Sequence, residues 1–573
     1  MAVCGAGCRP DTVELNPPSK LPQIRKSEVG QGIPLDRLRR IANSEPGSGS
    51  APSVSFASLS EDLLPAFAYE NGSRGHRLMV EATGGGCAWL DVDHDGQWDL
   101  YLVQGGIPDE LPNIDSPSDR VWRQIAGKFA DVTATTDVNE IHYGQGVAAS
   151  DFDNDGFDDI FVTNLGTNTL FQNLGDGTFQ RLEQWGGHAN RLWSSSAAWG
   201  DIDLDGDLDL YVCNYVNFDP FDPQVCTNTA GEQIQCGPSQ VAPVADELYL
   251  NNGAGGFESV ADTLGVKGPE NRALGVVIAD FVGDLVPEIY VANDATANFL
   301  FSRDMNGRYQ DVAPRLGCAV DANGLAQASM GIAPGDFNGD GLLDLYVTHF
   351  EGEWNTLYQN LGEFGFRDAT ADVRAIQPTL PWVGFGTVME DFDQNGFNDI
   401  FVVNGHIDDL GRKRVLQMPP QLFSFDGRAL VEVSSEAGDY FTSRGVGRGC
   451  SQADFDNDGD WDIAVIHHNR AAKILVNESR RGHWLAVEMT GTVSNRPGIG
   501  AKVIVRQGTV TITQQLYGGG SYCSSRQPRL IFGLGKSAES CDIEIRWPTG
   551  GVQRLSNVAV DGNIVITEGR DYD

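Results

Sequence analysis

The stretch Asp151-Phe-Asp-Asn-Asp-Gly-Phe-Asp-Asp159 limits what this chain can fold into more than any other. Carboxylates stand at positions 1, 3, 5 and 9 of the run, with a glycine at 6. Alternate side-chain oxygens of such a run converge on one point, and the glycine permits the sharp turn that lets them do so. Hard oxygen donors in this number suit Ca²⁺. A helix–loop–helix calcium site carries a bidentate glutamate at position 12; here that position is Val162. The flanks, Ala148-Ala-Ser150 and Ile160-Phe-Val162, read as two short strands. The element is therefore a cation-clamped β-hairpin.

Equivalent runs begin at Asp91, Asp201, Asp280, Asp336, Asp391 and Asp454, which makes seven copies with steps of 60, 50, 79, 56, 55 and 63 residues. Repeats on this scale signify solenoids, propellers or arrays. Each follows one grammar. A strand of small residues, such as Gly144-Gln-Gly-Val-Ala-Ala149, enters the aspartate loop, and a second strand such as Asp209-Leu-Tyr-Val-Cys213 leaves it. A third ends in a turn, as in Leu248-Tyr-Leu-Asn-Asn-Gly253 or Leu357-Tyr-Gln-Asn-Leu-Gly362. A fourth carries Phe and then Asp, as in Phe129-Ala-Asp131 and Phe366-Arg-Asp368. Four strands per repeat make one propeller blade. The seventh repeat lacks its fourth strand, and Ser53-Val-Ser-Phe-Ala57 carries that pattern, so the N-terminal strand is expected to close the ring.

The formal charge of −39 lies largely in these loops and argues against nucleic-acid binding, which needs a basic surface. No apolar run approaches the ~18 residues that would span a membrane. Among the ten cysteines, Cys226 and Cys236 bracket a polar insertion and suit a local disulfide, which favours an extracellular or periplasmic location. No signal sequence is visible. Residues 1–52, rich in Pro, Gly, Ser and charge, read as a flexible arm, 53–478 as a seven-bladed all-β propeller, and 479–573 as a small β-sandwich or barrel-like domain.

The aspartate loops, with their Leu-Tyr-x-Asn and Gly-x-Phe turns, resemble FG-GAP/VCBS repeats, the blades of the integrin α-subunit propeller. In the tail, Gly482-His-Trp-Leu485, Asn495-Arg-Pro-Gly-Ile-Gly-Ala501, Gly518-Gly-Gly-Ser521, Phe532-Gly-Leu-Gly535 and Arg546-Trp-Pro-Thr-Gly550 resemble an ASPIC/UnbV domain. Together with Asn404-Gly-His406 they are similar to the cartilage-acidic-protein family. The resemblance implies a secreted calcium-binding architecture and leaves the ligand open.

Four loops keep carboxylates at all four positions: Asp91, Asp93, Asp95, Asp99; Asp151, Asp153, Asp155, Asp159; Asp201, Asp203, Asp205, Asp209; and Asp454, Asp456, Asp458, Asp462. Two carry an amide, at Asp336, Asn338, Asp340, Asp344 and at Asp391, Asp393, Asn395, Asp399. In the loop at Asp280, Val282 replaces a ligand, Leu285 the glycine and Glu288 the final Asp, so about six Ca²⁺ sites are expected, with this one weak or empty.

Five residues after each final acid come Gln104, Asn164, Asn214, Asn293, His349, Asn404 and His467, all amides or imidazoles. They end the second strands, on the face opposite the loops. Asparagine there commonly satisfies turn backbone; the two histidines fit that reading less well. Trp193, Arg272, Trp354, Trp382, Arg444 and Arg448 are expected to join them as ligand-binding groups at a propeller mouth. One reading is a calcium-stabilised extracytoplasmic propeller that binds a protein, glycan or small molecule at this mouth. A second is an enzyme of acid/base cyclase, isomerase or lyase type that uses His349, Glu351, His406, Asp408 and His467. A third is a structural interaction module working with the C-terminal domain.

Overall fold

Among the described residues each aspartate loop joins the first two strands of an antiparallel sheet, and there are seven such sheets, six of four strands and one of five. The computed structural model describes residues 54–110, 117–187, 191–268, 271–409, 415–479, 482–536 and 539–570. The arm expected at 1–52 lies outside the described residues. Sheets 1 to 6 begin with Cys87–Leu90, Tyr143–Ser150, Ser194–Gly200, Ala273–Ala279, Ile332–Gly335 and Gly384–Glu390. Sheet 7 is built from Gly447–Ala453, Asp462–His467, Arg470–Asn477 and, as its fourth strand, Phe56–Ser58. The pairs Phe56 with Asn477 and Ser58 with Leu475 set that register. The closing strand thus sits slightly C-terminal to the expected 53–57. First strands of consecutive sheets touch, and that of sheet 7 touches that of sheet 1, so the sheets form a closed ring. The fold is an all-β propeller.

Small residues in the first strands follow from this closure. Gly86, Gly146, Gly275, Gly331, Gly386 and Gly449 occupy one register, with Ser196 in sheet 3. A Cβ at Gly331 would lie 2.1 Å from the Phe385 carbonyl oxygen of the next sheet, and one at Gly275 2.3 Å from that of Met330. No rotamer relieves a backbone clash. Gly331→Ala is therefore expected to destabilise the protein by about 1–3 kcal/mol, the usual cost of overpacking, read as a lowered urea midpoint; an unchanged midpoint would contradict the close approach.

The Asn that ends the third strand locks neighbouring loops together. Asn173, Asn251, Asn360 and Asn477 each donate their backbone N–H to the final Asp of their own loop. Their side-chain amides donate to Val92, Phe152, Phe281 and Phe392 carbonyls in the preceding sheet's loop. In sheet 4, Arg303 replaces the Asn and reaches the corresponding Ile202 carbonyl at 3.4 Å.

After the ring, Leu530–Gly535, His483–Thr490 and Gly562–Thr567 form one sheet, and Val510–Gln515, Lys502–Gln507, Ser540–Arg546 and Val552–Ala559 another. Their shared core, with Val487, Val503, Ile543 and Trp547, is continuous with Phe152 and Trp199 of the propeller. Pro46–Asp573 forms one compact unit rather than two separate bodies.

One segment of this tail leaves its own sheets and runs along the propeller axis. Gly518–Gly519 pairs with Val277 and Ile278 of sheet 4. Ser521 O accepts from Ile332 N of sheet 5 at 2.9 Å, and its hydroxyl meets Thr387 N of sheet 6 and Cys450 O of sheet 7. Cys523 N donates to Ser196 Oγ of sheet 3 at 3.0 Å, while its carbonyl accepts from Val147 N of sheet 2. Ser525 exchanges bonds with Cys87 and Trp89 of sheet 1. The segment therefore bonds to all seven sheets, always on the first strand.

Candidate functional site

The loops are arranged alike. The first Asp accepts the N–H groups of positions 5 and 6, at 3.0 and 2.8 Å for both Asp91 and Asp151. The ninth residue accepts from position 2, as Asp99 does from Val92 and Asp159 from Phe152. Position 4 takes a left-handed backbone in His94, Asn154, Leu204, Gln394 and Asn457, a feature that only the two asparagines hinted at in the sequence. Three carboxylates come within 4.8 Å of one another in five loops: Asp91/Asp93/Asp99, Asp151/Asp153/Asp159, Asp201/Asp203/Asp209, Asp391/Asp393/Asp399 and Asp454/Asp456/Asp462. In the loop at Asp336, Asn338 stands in for the second carboxylate and donates to Asp340.

Burial, reinforced by neighbouring carboxylates, pushes Asp151 and Asp201 up to about 7 and holds Asp159, Asp209, Asp399 and Asp462 well above the usual carboxylate range. Asp399 Oδ2 and Asp462 Oδ2 are buried with no hydrogen-bond donor. Clustered, desolvated carboxylate oxygens facing inward fit a hard divalent cation, which supplies the missing positive charge. The fourth loop keeps the same backbone bonds despite its substitutions. Asp280 accepts from Gly283, Asp284 and Leu285, and Glu288 from Phe281 and Val282.

At the opposite ends of the strands lies a cavity of about 370 Å³. Gly447–Ala453 shows the geometry: Arg448 lines the cavity, and the strand runs directly into the loop at Asp454. His406, Asp408, His468 and Arg470 line it from sheets 6 and 7, and Arg77, Glu81 and Asn469 are among its other polar lining residues. Arg448 is fully buried, and its guanidinium donates to the carbonyls of Ala82, Gly405, His406 and Gly447. Burial lowers it to about 9. The guanidinium lies 3.9 Å from the Phe385 ring centroid, and Phe385 packs edge-on against Tyr522 of the axial segment. Arg77 pairs with Asp408, and burial raises the Glu81 carboxyl.

Two segments roof this mouth. Met79–Ala82 is a single 3-10 turn with all four residues buried. The sheet 3 insertion forms the Cys226–Cys236 disulfide, and Gln233 and Gln235 donate to the carbonyls of His76, Leu78 and Met79. Arg77 and Glu81 escaped the sequence reading because they belong to no repeat; only contacts made far along the chain place them here.

Of the residues singled out from sequence, His406, Asp408 and Arg448 meet at the cavity, while Trp193, Arg272, Trp354, Trp382 and Arg444 do not line it. Trp193 is buried in the roof's apolar cluster and donates to Gln145. Arg272 holds the Pro238 and Val241 carbonyls. Arg444 lies over Trp382 at 5.7 Å. The amide–imidazole ring is taken up by turns: Asn164, Asn293 and Asn404 donate to Thr167, Ala297 and Pro419 carbonyls. His349 pairs with Ser329 and His467 with Tyr440, and burial lowers them to about 3 and about 4. His406 accepts the Asp408 N–H on Nδ1, and its Nε2 stands 3.6 Å from Glu351. Its Nδ1 is thus tied to the backbone, and its Nε2 lies beside the Glu351 carboxylate.

The repeats match the FG-GAP-like repeat family at residues 151–212, 283–347 and 336–402, and the tail matches the ASPIC and UnbV family at 491–572. Cartilage acidic protein 1 of Xenopus tropicalis is 27% identical over 503 residues, covering 82% of this chain and 70% of that protein. The Homo sapiens protein is 26% identical over 497 residues, covering 81% and 69%. Among solved structures, Bacillus licheniformis rhamnogalacturonan lyase PL11 aligns over 75% of this chain and 76% of its own, at 11% identity and a TM-score of 0.36. An Agrocybe aegerita lectin that recognises non-reducing terminal N-acetylglucosamine aligns over 63% and 82%, at 15% identity and a TM-score of 0.39. Both structural likenesses are too weak to bear on function. Sequence likeness along most of its length makes this chain a homologue of cartilage acidic protein 1, with FG-GAP-like repeats followed by an ASPIC and UnbV region.

Proposed function

We propose that this protein is an extracytoplasmic, calcium-stabilised propeller that binds a small-molecule or glycan ligand in its mouth cavity. The observation that carries the binding reading is the cavity of about 370 Å³ walled by buried Glu81, His406, Asp408, Arg448 and His468. Its size falls in the small-ligand range of about 300–1,000 Å³. Charges of both signs and the Asn469 amide offer donors and acceptors to an oxygen-rich ligand. Calcium is supported by the oxygen-only donor sets of six loops. The disulfide and the kind of relative support the location.

The test is ligand-observed NMR of the calcium-loaded protein against a panel of mono- and disaccharides and metabolite-sized acids and amines. At least one compound is expected to bind, and Arg77→Ala with Asn469→Ala to weaken it tenfold or more without changing the melting temperature by more than a few degrees. Binding that is unaffected by these substitutions, or a panel with no binder, would overturn the mouth reading. Metal analysis showing fewer than two bound Ca²⁺ per chain would overturn the calcium reading.

A further inference from the structure

Two buried charges of opposite sign line the mouth cavity, and neither has an ionic partner among the described residues. Arg448 is fully buried and Glu81 is 7% exposed, and both stand in the cavity wall. A guanidinium carries five N–H groups. Four of those on Arg448 go to the carbonyls of Ala82, Gly405, Gly447 and His406, which leaves one on Nη2. Carbonyls orient the group without cancelling its charge. The acidic groups that act on it are the phenols of Tyr522 and Tyr69, not a carboxylate. Phe385 covers one face of the guanidinium, 3.9 Å from the ring centroid.

Glu81 is the opposite case. Ser73 Oγ donates to its Oε2 at 3.0 Å, and among the described residues no Lys or Arg pairs with it. Burial outweighs the hydrogen bonds from Ser73 and the Leu78 backbone and lifts its carboxyl above the usual range. The two charges are near each other along the wall, because Arg448 Nε donates to the carbonyl of Ala82, the residue after Glu81. Other charges of the wall are answered or stand at the rim: Arg77 pairs with Asp408, and Asp409 and Arg470 are exposed. Leu78, Ile407, Leu416 and Val446 add apolar surface to the same cavity.

We infer that the mouth takes a small zwitterion, an amino acid with an aliphatic side chain, whose carboxylate meets Arg448 and whose ammonium meets Glu81. An unpaired buried charge is destabilising, and a ligand of opposite charge removes that penalty as it binds. A neutral sugar leaves both charges unmet. A plain carboxylate or a plain amine meets one and leaves the other. A zwitterion meets both, and its aliphatic part lies on the apolar wall. The cavity of about 370 Å³ is at the small end of the ligand range of about 300–1,000 Å³, which suits a single metabolite. The inference rests on the mouth reading of the proposed function and names the ligand class.

The test is isothermal titration of the calcium-loaded full chain with L-alanine, L-valine and L-leucine. Isocaproate, which is leucine without its ammonium, and isoamylamine, which is leucine without its carboxylate, are titrated beside them. At least one amino acid is expected to bind, and each truncated leucine to bind at least tenfold more weakly than leucine. Removing the carboxylate from the ligand replaces a substitution at Arg448, which would also cut the roof from sheet 6. Glu81→Gln keeps the shape and an acceptor for Ser73, so its melting temperature should stay within a few degrees. It should weaken leucine tenfold or more and leave isocaproate unchanged. Isocaproate or isoamylamine binding as tightly as leucine would overturn the zwitterion, and so would a Glu81→Gln protein that loses leucine and isocaproate alike. If a sugar or another compound binds at the mouth and no amino acid does, the ligand class is wrong and the mouth reading stands. If nothing binds, both fall.

Discussion

Excess chelator is expected to lower the melting temperature of this protein by about 15 °C. Six loops keep an oxygen at all four side-chain positions. A site saturated a hundredfold above its dissociation constant stabilises the folded state by about 2.7 kcal/mol, so six sites give about 16 kcal/mol. Pro46–Asp573 is one compact unit, and at about 2.1 cal/mol/K per residue its unfolding entropy is roughly 1.1 kcal/mol/K. The quotient is the expected shift. Repulsion acts in the same direction, because buried oxygens such as Asp462 Oδ2 have no donor to replace the ion. Differential scanning fluorimetry with and without chelator, with metal content measured in parallel, reads the shift directly. An unchanged curve after confirmed metal removal would show that the loops are held by their backbone bonds alone. Asp153→Ala should reproduce about one sixth of the shift. Asp284→Ala, in the loop where Val282 replaces a carboxylate, should change the response to chelator little.

The loops were legible because their chemistry is local: ligand spacing, turn glycine and flanking strands all fall within nine residues. The ring followed from repetition, since a four-strand unit that recurs has few ways to bury both faces. The axial segment was not legible, because Cys523 meets Val147 and Ser196 across hundreds of residues. Only a trace of it was printed in the sequence, as a glycine at one register of six of the seven first strands, Gly86, Gly146 and their counterparts, with Ser196 in the third. A Cβ at Gly86 would lie 1.8 Å from the Cys523 carbonyl oxygen, so this position answers to the tail as well as to its neighbours. The ring of amides and imidazoles was legible as a pattern and ambiguous as chemistry. His349 and His467 stand where the other repeats place an amide, and sequence does not reveal that Ser329 and Tyr440 are there to receive them. The cavity itself owes Arg77 and Glu81 to a segment without periodicity, which no pattern could have flagged.

Truncation at the N-terminus should separate two outcomes sharply. A chain of residues 46–573 retains the whole compact unit and is expected to keep the elution volume of the full chain, melting within a few degrees of it. A chain of residues 59–573 loses the fourth strand of sheet 7. Val54 and Phe56 are buried, and Phe56 packs against Phe392 and Phe441 at 5.2 and 6.2 Å between ring centroids. Burying each such side chain contributes about 1.5–3 kcal/mol. The backbone loss is as important: Phe56–Ser58 pairs with Leu475–Asn477, and without it the Arg470–Asn477 strand becomes an open edge. An unprotected edge recruits other chains, so the shorter protein should elute as aggregate and melt several degrees lower. A synthetic peptide spanning residues 53–60 should compete for that edge and restore part of the unaggregated protein, because pairing needs only the strand and not its covalent link. If residues 46–573 and 59–573 share one elution volume and one melting temperature, sheet 7 does not need its N-terminal strand, and closure of the ring rests on the first strands alone.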